Sequence, residues 1–302
     1  MGNSMSRLEL DFGKHRVIDT PVSESAVTGL ATGAAITGLK PIVIHPRMDF
    51  MLYAMDSIVN EAAKWRYMTG GKSGAPVTIR AIINRGGEQG AQHSQALQSW
   101  FAHIPGLRLL MPFSVQDARD LLIASTICED PVLFIDDRWL YDDEAIIDEV
   151  HELDLREEGP RVVREGTDVT IVGSSYSTRL ALEAAKSLAE HGVSAEVIDL
   201  RIISPLIAKE IIESVKKTRN LVVVDGGWAP CGVASEVITI VSERIDPRLW
   251  NTAPSRITLP FAPAPSSSTL EKAYYPDVKQ IVECALSKKY SKSDQERSDK
   301  SD

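Results

Sequence analysis

Runs of consecutive apolar, largely β-branched residues recur at 41–45, 77–83, 107–111, 132–135, 169–173, 194–199, 221–224 and 257–259. Between them apolar positions fall at helical spacing, over 26–37, 53–68, 94–102, 114–127, 177–191, 207–218, 231–244 and 277–288. A strand that is apolar at every position cannot face water on either side. The runs therefore predict parallel strands covered by helices on both faces. The class is α/β, organised as two doubly wound domains. The alternation breaks near residues 142–164, a charge-rich stretch that contains Gly159-Pro160 and is followed by Glu165-Gly166. A junction is expected there, giving domains over 1–155 and 156–287; a long loop packed on one domain is the competing reading. From residue 288 no apolar periodicity remains, and 288–302 is expected to be a disordered tail. Residues 261–269, FAPAPSSST, predict a loop leading into the final helix.

Composition narrows the function classes. The chain has 302 residues, 43% apolar and 25% charged, which supports a sizeable core. At about 150 residues per domain the length also suggests two domains. No apolar run approaches the ~18 residues of a membrane-spanning helix. The opening residues show neither a signal core nor a transit-peptide bias. Cys128, Cys231 and Cys284 are far apart and form no paired motif, which fits a reducing, cytoplasmic setting. The formal charge is −9. The last fifteen residues hold five basic and four acidic groups, a net +1, which leaves −10 on the remainder. Such a body is a poor partner for nucleic acid or an anionic membrane.

Several motifs fail on spacing. Gly71-Lys72-Ser73 lacks the glycine five residues before Gly71, where Arg66 stands, so no P-loop forms. Gly29 and Gly33 do not have dinucleotide-fold spacing, and 173–177 lacks the last glycine of a nucleophile elbow. No pair of histidines has metal-helix spacing. Three places remain. Glu24 precedes the small-residue helix AVTGLATGAAITGL. Either Ser23 caps that helix with Glu24 favouring its positive end, or the carboxyl is buried against a ligand that small residues allow to approach. Residues 84–95, NRGGEQGAQHSQ, follow a buried strand directly, either as a plain Gly-rich turn or as a ligand loop at a strand's C-terminal end. Phe50, in 47–51, is by spacing either core or a ligand contact.

The run 16–24, RVIDTPVSE, resembles the opening of the pyrimidine-binding domain in beta subunits of 2-oxo acid dehydrogenases, thiamine-diphosphate enzymes of the transketolase superfamily. Further matches are MDSIVNEAAK at 55–64, GAQHSQ at 90–95, FAHIPGL at 101–107, DLRIISPL at 199–206 and VDGGW at 224–228. The resemblance covers about residues 14–287, in order and in two domains. It implies a pyrimidine-binding thiamine-diphosphate-type domain followed by a transketolase C-terminal domain.

The resemblance also implies roles. Glu24 matches the glutamate that hydrogen-bonds N1′ of the cofactor's aminopyrimidine, and His93 matches an active-site histidine beside cofactor and substrate; both are expected to be catalytic. Phe50 matches the aromatic that stacks on the pyrimidine, and Gln92 joins Glu24 and Phe50 as an expected cofactor contact. Arg47, Asn84 and Arg85 depart from the family pattern and are the candidate substrate contacts. The family holds diphosphate and Mg²⁺ through a Gly-Asp-Gly stretch and a later Asn pair; this chain has neither, and no two of its asparagines are adjacent. The resemblance therefore implies that only the pyrimidine end of thiamine diphosphate is bound here, with no metal ligand in this chain. An alpha-type subunit would hold the rest in an α2β2 heterotetramer, with a lipoyl acyltransferase as a further partner. Family members carry a longer leading stretch that includes a first strand, so an unpaired sheet edge is expected. The expected function is the beta subunit of an enzyme that decarboxylates a 2-oxo acid and passes the acyl group to a lipoyl acceptor. The alternatives are half of a split transketolase-like ketol transferase and a non-catalytic structural subunit.

Overall fold

A computed structural model of the chain describes residues 7–298, with side chains through Lys288. Each of the eight apolar runs forms a strand. These are β1 (Ile42–His45), β2 (Thr78–Ile83), β3 (Arg108–Leu110), β4 (Val132–Asp137), β6 (Val169–Gly173), β7 (Ala195–Asp199), β9 (Leu221–Trp228) and β10 (Ser255–Leu259). The central ones are buried on both faces, whereas the edge strands β1 and β10 keep partly exposed positions. Two further short strands, β5 (Arg161–Arg164) and β8 (Ile202–Ser204), lie outside the predicted set. The first sheet has the order β1-β2-β4-β3-β8 and the second β10-β9-β6-β7-β5. All pairings are parallel except β8 on β3 and β5 on β7. The two unpredicted strands are thus antiparallel edges, each with one paired side, and neither carries a long apolar run.

The helices are α1 (Leu8–Phe12), α2 (Glu24–Ile36), α3 (Met48–Met51), α4 (Ala63–Met68), α5 (Gln98–Ala102), α6 (Val115–Ile127), α7 (Tyr176–Glu190), α8 (Lys209–Thr218), α9 (Val233–Ser242), α10 (Ser268–Tyr274) and α11 (Val278–Ser298). Ser114 caps α6 by accepting the Asp117 N–H at 3.0 Å. Lys40 Nζ closes the other end of α6, donating to the carbonyl of Cys128 at 3.0 Å. The single helix predicted over 53–68 is broken into a 3₁₀ turn (Leu52–Ala54), a widened π stretch (Asp56–Ala62) and α4. The π stretch lies where α2 comes close, since a Cβ at Gly29 would meet Ser57 Oγ at 3.3 Å. Helix α11 continues to Ser298, into the segment expected to be disordered; helix formers such as Lys, Gln and Glu carry it on without an apolar stripe. Residues 299–302 lie outside the described residues. No helix among the described residues is long and apolar enough to cross a membrane.

One buried cluster joins both sheets, through Val43, Ile79, Leu133 and Phe101 on one side and Val172, Ile198, Val223 and Val237 on the other. Each such side chain contributes about 1.5–3 kcal/mol of burial, and Phe101→Ala would cost about 3–5 kcal/mol. The chain crosses between sheets at β8, which leaves the second half to pair with β3. Arg201 fixes the crossing from a left-handed backbone (φ 56). Its buried guanidinium binds Asp117 of α6 at 2.8 Å and Glu158 at 2.6 Å.

Candidate active site

Helix α2 runs antiparallel to β1, so its N-terminus lies at the strand's C-terminal end, where α/β folds place ligands. Glu24 is the first residue of α2 and is half-buried. Ser23 occupies the cap position, but its side chain makes no cap hydrogen bond. The purely capping reading of this segment therefore lacks its bond. Thr28, one turn on, is fully buried, and its hydroxyl lies 3.1 Å from His45 Nε2. His45 ends β1 and is 3% exposed. Burial holds its imidazole down to about 4 from 6.5, while the Glu24 carboxylate pulls the other way. The imidazole facing Glu24 is therefore neutral at pH 7.

After β1 the chain turns into α3, and residues 47–50 engage the Gly-rich loop that follows β2. Arg47 donates from Nη2 to Gln89 Oε1 at 2.8 Å and from Nη1 to the His93 carbonyl at 3.3 Å. Asp49 Oδ1 accepts the Gln95 N–H at 3.0 Å. Its Oδ2 is buried without a hydrogen-bond partner. Burial pushes the Asp49 carboxyl up, against the Gln95 N–H and the nearby His93 imidazole. The Phe50 and His93 rings meet edge-on with centroids 5.2 Å apart. Asn84 reaches the same turn, donating to the Pro46 carbonyl at 3.3 Å and accepting from Arg138 at 3.3 Å.

Glu24, Arg47, Phe50, Asn84 and His93 thus gather around the C-terminal ends of β1 and β2. Two candidates do not join them. Gln92, beside His93, is turned to solvent. Arg85 is buried elsewhere: its Nη2 lies 3.2 Å from Asp137 Oδ2, at side-chain exposures of 5% and 0%. Its guanidinium fills the space of the missing side chain at Gly226, where any Cβ would collide with it. The residue expected to contact substrate is thus held in an ion pair with Asp137, the last residue of β4, and also packs on β9. The last register pair of the two strands is Ile83 with Asp137, which leaves Arg85 two residues past the strand end and within reach of that carboxylate. His45 and Asp49 were not among the candidate site residues; a polar group ending an unbroken apolar strand is the signal that marks His45.

A cleft of about 560 Å³ opens on the other side of the loop, lined by Gly86, Trp139, Tyr176, Glu271 and Tyr275 among others. A second, of about 420 Å³, lies along α8 and α9. Neither is lined by Glu24, Phe50 or His93. Among the described residues no three His, Cys, Asp or Glu side chains cluster to hold a metal ion.

Residues 2–143 match the family described as the transketolase pyrimidine binding domain, and residues 160–281 match the transketolase C-terminal domain. The fold and these matches define a transketolase-type chain. A solved split-gene transketolase, described as an inactive beta4 tetramer, shares the fold at TM-score 0.74 and 23% identity, over 96% of this chain and 89% of its own. Among curated relatives, the beta subunit of the acetoin:2,6-dichlorophenolindophenol oxidoreductase of Cupriavidus necator is 41% identical, over 91% of this chain and 81% of that protein. The mitochondrial pyruvate dehydrogenase E1 component subunit beta-1 of Arabidopsis thaliana is also 41% identical, over 90% of this chain and 75% of its own length. The chain belongs to the family of these dehydrogenase-type beta subunits.

Proposed function

We propose that this chain is the beta subunit of a thiamine-diphosphate enzyme that decarboxylates a 2-oxo acid and passes the acyl group to a lipoyl acceptor. It works only with an alpha subunit, in a cytoplasmic α2β2 assembly. The observation that carries the reading is the placement of Glu24, Phe50 and His93 around the C-terminal ends of the paired strands β1 and β2.

The residues present fit the pyrimidine end of the cofactor. Phe50 offers a partly exposed ring face for stacking, and Glu24 a carboxylate able to face a ring nitrogen. The unpartnered Oδ2 of Asp49 is a buried acceptor beside Phe50. The chain has no Gly-Asp-Gly stretch with a following Asn pair, so diphosphate and Mg²⁺ fall to the alpha subunit. When bound, thiamine diphosphate supplies the nucleophile and the electron sink. Glu24 then holds and moves a proton at N1′ of the aminopyrimidine. The neutral His45 places no cation beside it. His93 handles the proton or charge of the substrate carboxyl, and Arg47 and Asn84 shape the substrate's approach.

The test is to co-express the chain with its alpha partner and to assay CO₂ release from a panel of 2-oxo acids, with acetoin cleavage in parallel. Glu24→Gln is expected to cut turnover at least ~100-fold while the heterotetramer still assembles. Wild-type turnover in that variant would remove Glu24 from the chemistry.

A further inference from the structure

We propose that Glu88 and Glu271 form a clasp by which the second half of the chain positions His93; the proposal rests on the reading of His93 as a catalytic residue. The loop carrying His93 takes a left-handed backbone at Gly86, Gly87, Glu88 and Gly90, with φ of 68, 70, 59 and 73°. Glycine adopts this region freely, whereas a side chain at Cβ crowds the backbone. Glu88 is thus the strained member, and a strained residue persists only when its surroundings over-determine it.

The surroundings do so twice. The Glu88 N–H donates to Glu271 Oε1 at 2.9 Å, and Glu88 Oε1 accepts from the Ser268 N–H at 2.9 Å. Backbone and side chain of one residue are therefore both tied to α10. Glu271 is itself only 7% exposed, and its N–H donates to the Ser267 carbonyl at 2.8 Å. On either side of the clasp the loop fits the second half closely. A Cβ at Gly90 would come within 2.5 Å of Ser266 Oγ; one at Gly86 would come within 3.1 Å of the ring of Trp139, a first-half residue that itself packs on Tyr275 of the second half with centroids 4.9 Å apart.

The first half holds the loop from Gln89 onward, with Arg47 on Gln89 Oε1 and the His93 carbonyl, Asp49 on the Gln95 N–H and Phe50 on the imidazole. The histidine is suspended between two anchorages, one on each half. Glu88 and Glu271 are positioning residues that act through the loop and not on the substrate.

The experiment uses the assembled heterotetramer with thiamine diphosphate and Mg²⁺. Glu271→Ala is expected to lower kcat about tenfold and to speed amide exchange in the peptide 84–95 without changing the thermal midpoint. Glu271→Gln keeps an acceptor for the Glu88 N–H and is expected to restore both. In a His93→Ala background, Glu271→Ala should cause less than a twofold further loss, because its effect passes through that histidine. Independent, multiplying losses in the double variant, or unchanged exchange over 84–95, would overturn the clasp. Wild-type turnover in His93→Ala would instead overturn the role of the histidine, and the exchange result alone would then decide the clasp.

Discussion

Thr28 and His45 share a buried hydrogen bond of 3.1 Å one helical turn from Glu24, which ties α2 to the end of β1. Burial of the His45 imidazole sets a pH dependence of stability. The His45 imidazole is held at about 4 in the folded chain against 6.5 ordinarily, so between those values the unfolded chain binds the extra proton. Stability is present in full above pH 6.5, falls as pH drops toward 4, and levels off below. The loss is about 3 kcal/mol at most. His45→Asn, which keeps a partner for Thr28, should flatten urea-unfolding midpoints across this window.

Asp199 tilts the other way. It ends β7, fully buried, with Thr178 donating to Oδ1 at 2.8 Å. Burial pushes its carboxyl from 3.8 up to about 7, the charge of Asp117 adding to the rise and the Thr178 bond and Arg201 opposing it. Here the folded chain holds the proton that the unfolded chain has released. The stabilisation is complete below pH 3.8 and is lost as pH rises through 7. Asp199→Asn should therefore gain stability relative to the parent on the order of 3 kcal/mol by pH 8. Denaturant midpoints taken at pH 5 and pH 8 should diverge between the two chains.

Arg85 makes a structural prediction where the sequence suggested a substrate contact. Arg85→Met strands Asp137, whose carboxyl burial already drives upward, and should cost about 3 kcal/mol or more. Replacing both partners with apolar residues should recover most of that loss. Chemical denaturation measures both effects, and the KM for the 2-oxo acid in the double variant should match the parent. A raised KM there would return Arg85 to the substrate.

Phe50→Ala removes the ring that borders both the proposed cofactor face and His93. The thiamine diphosphate concentration for half-maximal turnover should rise about tenfold, or ~1.4 kcal/mol, with assembly intact. Titration of the reconstituted apoenzyme measures it.

The parallel strands were legible because burial on both faces forces unbroken apolar runs. Strands β5 and β8 were not: Arg161–Arg164 alternates between exposed and half-buried positions, and β8, though Ile202 and Ile203 are buried, is only three residues long. The break of the helix after Leu52 was hidden for another reason, as it follows from the approach of α2 and not from local propensity. Glu24, Phe50 and His93 share no spacing rule; only a family resemblance links them, because the gathering depends on which strand ends the fold brings together. Glu88 and Glu271 lie 183 residues apart, and neither segment signals the other.

Strand β8 decides what can be separated. The charge-rich stretch at 142–164 looks like the natural place to divide the chain, yet the strand that completes the first sheet is encoded 38 residues beyond its end, at Ile202–Ser204. A fragment cut at the linker would leave β3 with an open row of backbone donors and acceptors, a template for self-association. The piece left behind would carry Arg201 without Asp117, its partner at 2.8 Å. The two halves are therefore structurally interdependent: exchanging either with a relative's would require the edge strand and its arginine to travel with the sheet they serve.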